Sequence, residues 1–500
     1  MRSKQQLAVA QVNPGQFGLN TQDAPRLLPD GFLTKADNCI IDKQGRIAAR
    51  KGREYTTTSG GTSSAIEAIF EAEWDDGTTT MFSVGANKVY TGTTTLTDVT
   101  NGQTITDNAW QIVQLQEIVY FFQSGHAPLQ YDKGVGTLEL VTAHSNYVGT
   151  VAQGTCALSA FGRLWTAKDD TVYWSDLLNG VNWGGGTSGS IDLSTVFPQD
   201  KDTVTGLASH NDFLVIFLTR NILIYREADS PATMSIQDVV SNIGCQHRDT
   251  IINTGQDIIF LDKTGVRSLG RTIQEKSSPI GSISRNVNTD LIYWVDNEAD
   301  PVRAAYSRTN RFVVYFFPTA EIAYVFDVQQ PLEDGSWRAT RWSNWPINCG
   351  YEAIDGTFYL GAVNGLQHYS GLYTDEGGSF DMTIRAPHKQ YTEQMVLLIP
   401  KTLSVVIEGG NVNSSQVEWS FDYNEGYKTV TYTTPGATQA EFGTAEFGVA
   451  QFSGGAGNSR QRVNIFGSGL SLSYGWQTSI NGTELAVQEV DIHMITGRVY

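Results

Sequence analysis

Between about residue 65 and residue 370 the chain writes one short pattern seven times. A β-branched and aromatic run enters a polar turn, and a second run closes on an aromatic residue. The copies start at Ala65 (AIEAIFEAEWDDGTTTMFSVGANKVYTG), Asn108, Ala157, Val204, Arg248, Val302 and Tyr351. A spacing of roughly 45 to 50 residues is the length of one four-stranded propeller blade. The pattern therefore predicts an all-β chain in which residues 61–372 form a β-propeller. Five to seven blades fit, because the copies near 280–345 are irregular. The stretches TTTLTDVT, TLELVT and SIDLS between copies are candidates for outer strands.

The composition supports this reading. Fifty Gly beside 21 Tyr, 22 Phe and 11 Trp favour strands joined by tight turns. A net charge of −18 repels phosphate at long range and speaks against a protein that grips nucleic acid. The four cysteines, Cys39, Cys156, Cys245 and Cys349, have no C-x-x-C pairing, which predicts buried thiols rather than zinc ligands or disulfides. No run approaches the roughly twenty apolar residues of a membrane span, so a soluble chain made in the cytoplasm is expected, without stable membrane insertion.

The two ends differ from the middle. Residues 1–60 read as a Pro/Gly-punctuated extended arm ending in two short strands, NCIID and RIAARKG. Residues 1–54 hold nine Lys/Arg against five Asp/Glu, a net of +4 that leaves −22 elsewhere. The arm can pack on the C-terminal domain or on a neighbouring subunit. Its basic residues Arg46, Arg50, Lys51 and Arg53 are candidate contacts between copies, with solvated surface charges as the alternative. Residues 373–500 alternate apolar and polar over longer strands, as in a β-sandwich-like platform domain. Inside them, AEFGT-AEFGV-AQFSG carries Phe442, Phe447 and Phe452, either anchors for a neighbouring subunit or a loop packed on its own domain.

Chemistry is sparse. Cys245-Gln246-His247 is the nearest approach to a ligand pair, and it lacks partners for a metal. No phosphate loop, H-E-x-x-H or G-x-S-x-G is present. Ser175, Asp176, Gly180 and Trp183 loosely match the Asp-box turn of sialidase propellers. The arginines that such chemistry needs, among Arg163, Arg220, Arg226, Arg248, Arg267 and Arg271, follow no pattern. Aromatic residues recurring at strand ends (Tyr90, Tyr131, Trp174, Tyr225, Phe326, Tyr369) read as packing between blades. The sequence predicts no catalytic residue, no cofactor and no metal.

Taken in order, LNTQDAPRLLPDGFLTKADNCIIDKQGRIAARKG, YWSDLLNGVNW, LASHNDFLVIFLTRNILIYRE, VRAAYSRTNRFVVYFF and the Phe-Gly repeats resemble the tail nozzle proteins of short-tailed bacteriophages, also called tail tubular protein B or tail hub. The resemblance covers nearly the whole chain. It implies a structural virion protein of the tail, not an enzyme. Six copies would form a ring around a DNA channel beneath a head-to-tail adaptor, retaining and then ejecting the genome. The implied partners are the other copies, the adaptor, tail fibres or spike and plug proteins, and double-stranded DNA passing without sequence-specific binding. A glycan- or receptor-binding propeller, or a sialidase-type glycosidase, are the alternative readings.

Overall fold

A computed structural model describes residues 7–43, 46–105, 109–196, 201–274, 282–391, 396–410, 413–434 and 458–499. The chain is almost all β, with 52% strand and 6% helix. Runs such as Phe213–Leu218 (FLVIFL) and Phe312–Phe317 (FVVYFF) are strands buried nearly throughout, which is why their sequence is continuously apolar rather than alternating. Two-residue turns join many of them. Asn211-Asp212, at φ 46° and 64°, sits in the left-handed region that suits the twist of a tight hairpin.

Each of the seven sequence copies forms its own small antiparallel sheet. Four are four-stranded and follow one another in the chain, running Ile66–Glu73 to Thr97–Asp98, Gln111–Leu115 to Leu138–Leu140, Cys156–Ala160 to Gly189–Asp192, and Val204–His210 to Ser235–Ser241. The three stretches expected to supply outer strands lie at the far edges of the first three sheets. The fifth sheet has three strands, ending at Gly265–Ser268, and helices Leu269–Gln274 and Asn288–Asn297 follow it. The sixth spans Arg303–Ser307 to Arg338–Ser343. The seventh takes Cys349–Glu352, Phe358–Ala362 and Gly365–Ser370, and its fourth strand is Gly52–Tyr55 from the N-terminal segment.

Apolar clusters sit between successive sheets. Phe82 meets Phe121 between the first and second at 5.8 Å, and Phe217 meets Phe260 between the fourth and fifth at 5.1 Å. Trp165 and Trp174 pack on Leu214 and Ile216 between the third and fourth, and Tyr120 and Phe122 pack near Leu164 between the second and third. Val266 lies with Val313 between the fifth and sixth, and Phe358 with Phe312 between the sixth and seventh. Ile66 and Met81 pack against Cys349 and Leu366, so the seventh sheet also packs on the first. The aromatic residues expected to be packing belong to these clusters, with Tyr90, Tyr131, Trp174, Tyr225, Phe326 and Tyr369 all buried.

The C-terminal region contributes to two larger sheets that share a core of Leu403, Val405, Val417, Trp419, Trp476 and Ile492. One is continuous with the sixth small sheet. Its nine strands run from Arg303–Ser307 through Arg338–Ser343 to Lys35–Asp37, then Phe380–Arg385, Leu472–Ile480, Asn413–Phe421 and Lys428–Thr434. The other joins Asn458–Asn464, Val396–Gly409 and Leu485–Val499 to Arg46–Ala49 and Cys39–Lys43, with Leu7–Val12 also paired to Leu485–Val499.

The N-terminal segment is thus stitched into its own chain. Gly52 shows how closely: a Cβ there would lie 1.9 Å from the Thr374 carbonyl oxygen. Next to it, Arg50 is fully buried. Its Nη1 and Nη2 donate to Asp375 at 2.9 and 2.6 Å, its Nε donates to Asn38 at 3.0 Å, and its guanidinium lies 4.0 Å from the Phe380 ring centroid and 4.5 Å from that of Trp345.

The basic residues considered as contacts between copies are engaged inside one chain. Arg46 pairs with Asp42, Glu408 and Glu484, Arg53 with Glu376, and Lys51 donates to Asn310 at 2.9 Å. The acidic residues of the same chain neutralise the cations, and Arg46, Arg50 and Arg53 are buried. Phe442, Phe447 and Phe452 lie outside the described residues.

Arg50→Ala leaves the Asp375 carboxylate without its cation and is expected to cost roughly 3–5 kcal/mol of stability, read from guanidinium unfolding curves followed by tryptophan fluorescence. Arg50→Lys keeps the charge but not the fork that spans Asn38 and both carboxylate oxygens, and should recover only part of the loss.

Candidate functional site

The first strands of the small sheets bring single polar residues from distant parts of the chain together. The short turn Arg248–Thr250 lies just before the fifth sheet, and Arg248 is its centre. Arg248 Nη1 donates to the Thr155 carbonyl and Nη2 to the Ala109 carbonyl, each at 2.6 Å, and Nε donates to Asp249 at 2.9 Å. Nη1 also reaches Gln123 Oε1 at 3.3 Å. Gln111 donates from Nε2 to Asp249 at 3.5 Å and accepts from the Ala157 amide at 2.7 Å. On the sixth sheet, buried Arg303 donates to Glu67 of the first sheet at 2.6 Å. These bonds tie the second, third and fifth sheets to each other, and the sixth to the first.

A cavity of about 460 Å³ opens beside this network, lined by Ala109, Thr155, Thr205, His247, Arg248 and Val302. Burial pushes the Asp249 carboxyl up, but Arg248, Arg303 and Gln111 together outweigh it and hold the group below the ordinary carboxylate value. Burial lowers His247, against the opposing pull of Asp249 and Asp296, which favours the neutral imidazole. Burial also pushes the nearby thiols of Cys156 and Cys349 up to about 12, so neither is a thiolate at neutral pH. The arrangement holds charges in fixed positions. It has a cation pinned by several acceptors, and its thiols are not activated as nucleophiles.

Cys245 and His247 do come close, but the thiol donates to the His247 carbonyl at 3.2 Å rather than sharing a ligand with the ring. Burial pushes Cys245 up to about 11. Among the described residues no group of three or more His, Cys, Asp or Glu is placed to hold a metal ion. Asp176 acts as a turn bracket: it accepts from the Leu177 amide at 2.9 Å, from the Thr187 amide and hydroxyl at 2.8 Å each, and from Asn182 at 3.2 Å. Beside it, Arg163 donates to the Ser175 carbonyl at 2.9 Å.

The other arginines are used separately. Arg220 donates to the Lys201 carbonyl, Arg226 to Ser235, Arg267 to Asp262 and Arg271 to the Gly335 carbonyl. Sequence reasoning missed the Arg248–Asp249 network because its members come from copies far apart in the chain. The local signal was the charged pair Arg248-Asp249 at the start of its copy.

No family model matches the chain, and no curated protein does. Among solved structures, an extracellular domain from B. thetaiotaomicron aligns at 10% identity over 64% of this chain and 40% of its own, with a TM-score of 0.41. PorZ, a surface component of the type-IX secretion system of Porphyromonas gingivalis, aligns at 12% identity over 67% of this chain and 42% of its own, with a TM-score of 0.35. The AfRom2 CNH domain aligns at 7% identity over 63% of this chain and 97% of its own, with a TM-score of 0.38. The chain spans about two fifths of the length of the two bacterial structures. At these scores the likeness carries no inference about function.

The depressed Asp249 carboxyl adds stability above the unfolded-state value of about 4, and that stability is lost as pH falls through the lower folded value. Asp249→Asn should therefore be less stable than the native chain at pH 7. The gap between the two unfolding curves should close on acidification below pH of about 4.

Proposed function

We propose that this chain is a structural virion protein, the tail nozzle subunit of a short-tailed bacteriophage. In this reading its seven small sheets are the blades of a β-propeller, closed by Gly52–Tyr55, and the two larger sheets form a sandwich-like platform. Six copies form a ring that extends the DNA channel beneath the head-to-tail adaptor and helps retain and then eject the genome. The protein works by shape and charge, without catalysis, in the tail of the particle.

The observation that carries the reading is the nine-stranded sheet, which runs without a break from the sixth small sheet into the C-terminal region. Two regions joined by a shared sheet and by the buried Arg50 suit a stiff subunit. A ring subunit that bears load between an adaptor and the distal tail needs that stiffness. The order of segments resembling nozzle proteins supports the same assignment. A net charge of −18 is in keeping with a wall that does not hold passing phosphates. A ring also needs head-to-tail contacts that close by symmetry. With Arg46, Arg50 and Arg53 engaged internally, those contacts fall on other surfaces.

Co-expression with the adaptor protein of the same tail, followed by negative-stain imaging, tests the proposal. Rings of six copies stacked on the adaptor are the expected outcome. A chain that remains monomeric beside assembled adaptor rings would overturn it.

A further inference from the structure

A second site lies at one end of the C-terminal sheets, far in sequence from the Arg248 network. Strands Asn413–Phe421 and Lys428–Thr434 are joined by a hairpin whose turn residues, Asp422 and Tyr423, have φ of 50° and 62°. The Asn424 amide closes the turn on the Phe421 carbonyl at 3.0 Å. Such a turn favours Asn-Gly, and an ordinary residue held there is strained. Asp422 offsets part of the cost by accepting from the Leu470 and Ser471 amides at 2.8 and 2.9 Å. Tyr423 has no such side-chain bond among the described residues, and it is 48% exposed. A strained turn that presents a large aromatic ring to solvent calls for a reason outside folding.

The ring forms one wall of a cleft of about 500 Å³, within the range of small-ligand sites. Behind it, buried His388 packs at 4.9 Å from the Tyr423 ring centroid and 6.4 Å from that of Tyr427. His388 Nδ1 accepts from the Tyr423 amide at 3.4 Å, which leaves the proton of the neutral imidazole on Nε2. Ser473 donates to the Ala386 carbonyl at 2.7 Å, so the Tyr427 hydroxyl, 3.0 Å away, donates to Ser473 and keeps its lone pairs. Arg385 lies 4.3 Å from the Tyr427 ring centroid, and Asn424 and Glu425 also line the cleft, with Pro25 and Thr34 from the N-terminal segment.

These residues select among ligand classes. Arg385 donates to Glu418 at 2.6 Å, so its charge is already balanced, and Glu425 adds a negative group to the lining. An anion such as a phosphate finds no spare cation. A purely apolar ligand would strip water from Asn424, Glu425 and Arg385 without replacing its hydrogen bonds. A neutral ring with an apolar face and a rim of hydroxyls satisfies both sets of groups, stacking on tyrosine and bonding to the carboxamide, carboxylate and guanidinium. We propose that this cleft, built on Tyr423, Tyr427, His388 and Arg385, is a binding site for a neutral saccharide. The inference does not rest on the ring-forming role, and either can fail without the other.

The test is saturation-transfer difference NMR on the full chain with maltotriose, cellotriose and N,N′-diacetylchitobiose as probes. At least one is expected to bind with a Kd on the order of 1 mM. Tyr423→Phe keeps the ring and should bind as the native chain does. Tyr423→Gly removes the ring and relieves the left-handed strain, so it should melt no lower than the native chain while its affinity falls at least about tenfold. Absence of transfer to all three probes overturns the proposal. So does binding by Tyr423→Gly equal to that of the native chain. Loss of binding accompanied by a lowered melting temperature in Tyr423→Gly also overturns it, because the tyrosine would then be serving the fold.

Discussion

The structure depends on one buried cation. Arg50 belongs to the first tenth of the chain, yet its partners are Asn38 of the N-terminal segment, Trp345 beside the sixth sheet, Asp375 in the connection after the seventh sheet, and Phe380 of the strand that follows. A fully buried guanidinium is tolerated only when its donors are satisfied and its charge is met. Asp375 answers both requirements with two parallel bonds, and the aromatic rings supply a polarisable surround. The arrangement fixes the angle at which the small sheets meet the larger ones. It also places Gly52–Tyr55 where the seventh sheet needs an outer strand.

The small sheets were legible because their signal is local. Each copy carries its own alternation or apolar run, its own turn residues and its own closing aromatic, all within about 25 residues of one another. Of the stretch 280–345 where the copies look irregular, helix Asn288–Asn297 occupies part, but Arg303–Ser307 to Arg338–Ser343 form a regular four-stranded set. The N-terminal segment was harder to read. RIAARKGRE looks like a free basic arm because, Asp42 apart, its neutralising partners are remote: Asp375 is 325 residues from Arg50 and Glu408 is 362 from Arg46. Charge counts along a sequence carry no information about pairs at that distance.

The same limit governed the sites. Asp176 was recognisable because all its partners lie within eleven residues. The Arg248 network draws on copies 93 to 139 residues away, so no spacing rule connects Arg248 to Thr155, Ala109 or Gln123. The saccharide cleft was invisible for a different reason. Its key feature is the backbone conformation of Asp422 and Tyr423, and a sequence that lacks glycine at those positions gives no hint of a left-handed turn. The functional expectation rested on order along the chain, not on any motif.

The origin of the seventh sheet's outer strand also sets an order of events during synthesis. Gly52–Tyr55 leaves the ribosome roughly three hundred residues before Gly365–Ser370, the strand it pairs with. The first four sheets can form as they emerge, since each is complete within one stretch of chain. The strand that completes the seventh sheet must wait, unpaired, until almost the whole chain is made. Closure is therefore a late, long-range step, slow by virtue of its topology and exposed meanwhile at a strand edge. A nascent chain truncated before residue 365 would have several finished sheets and no partner for Gly52–Tyr55.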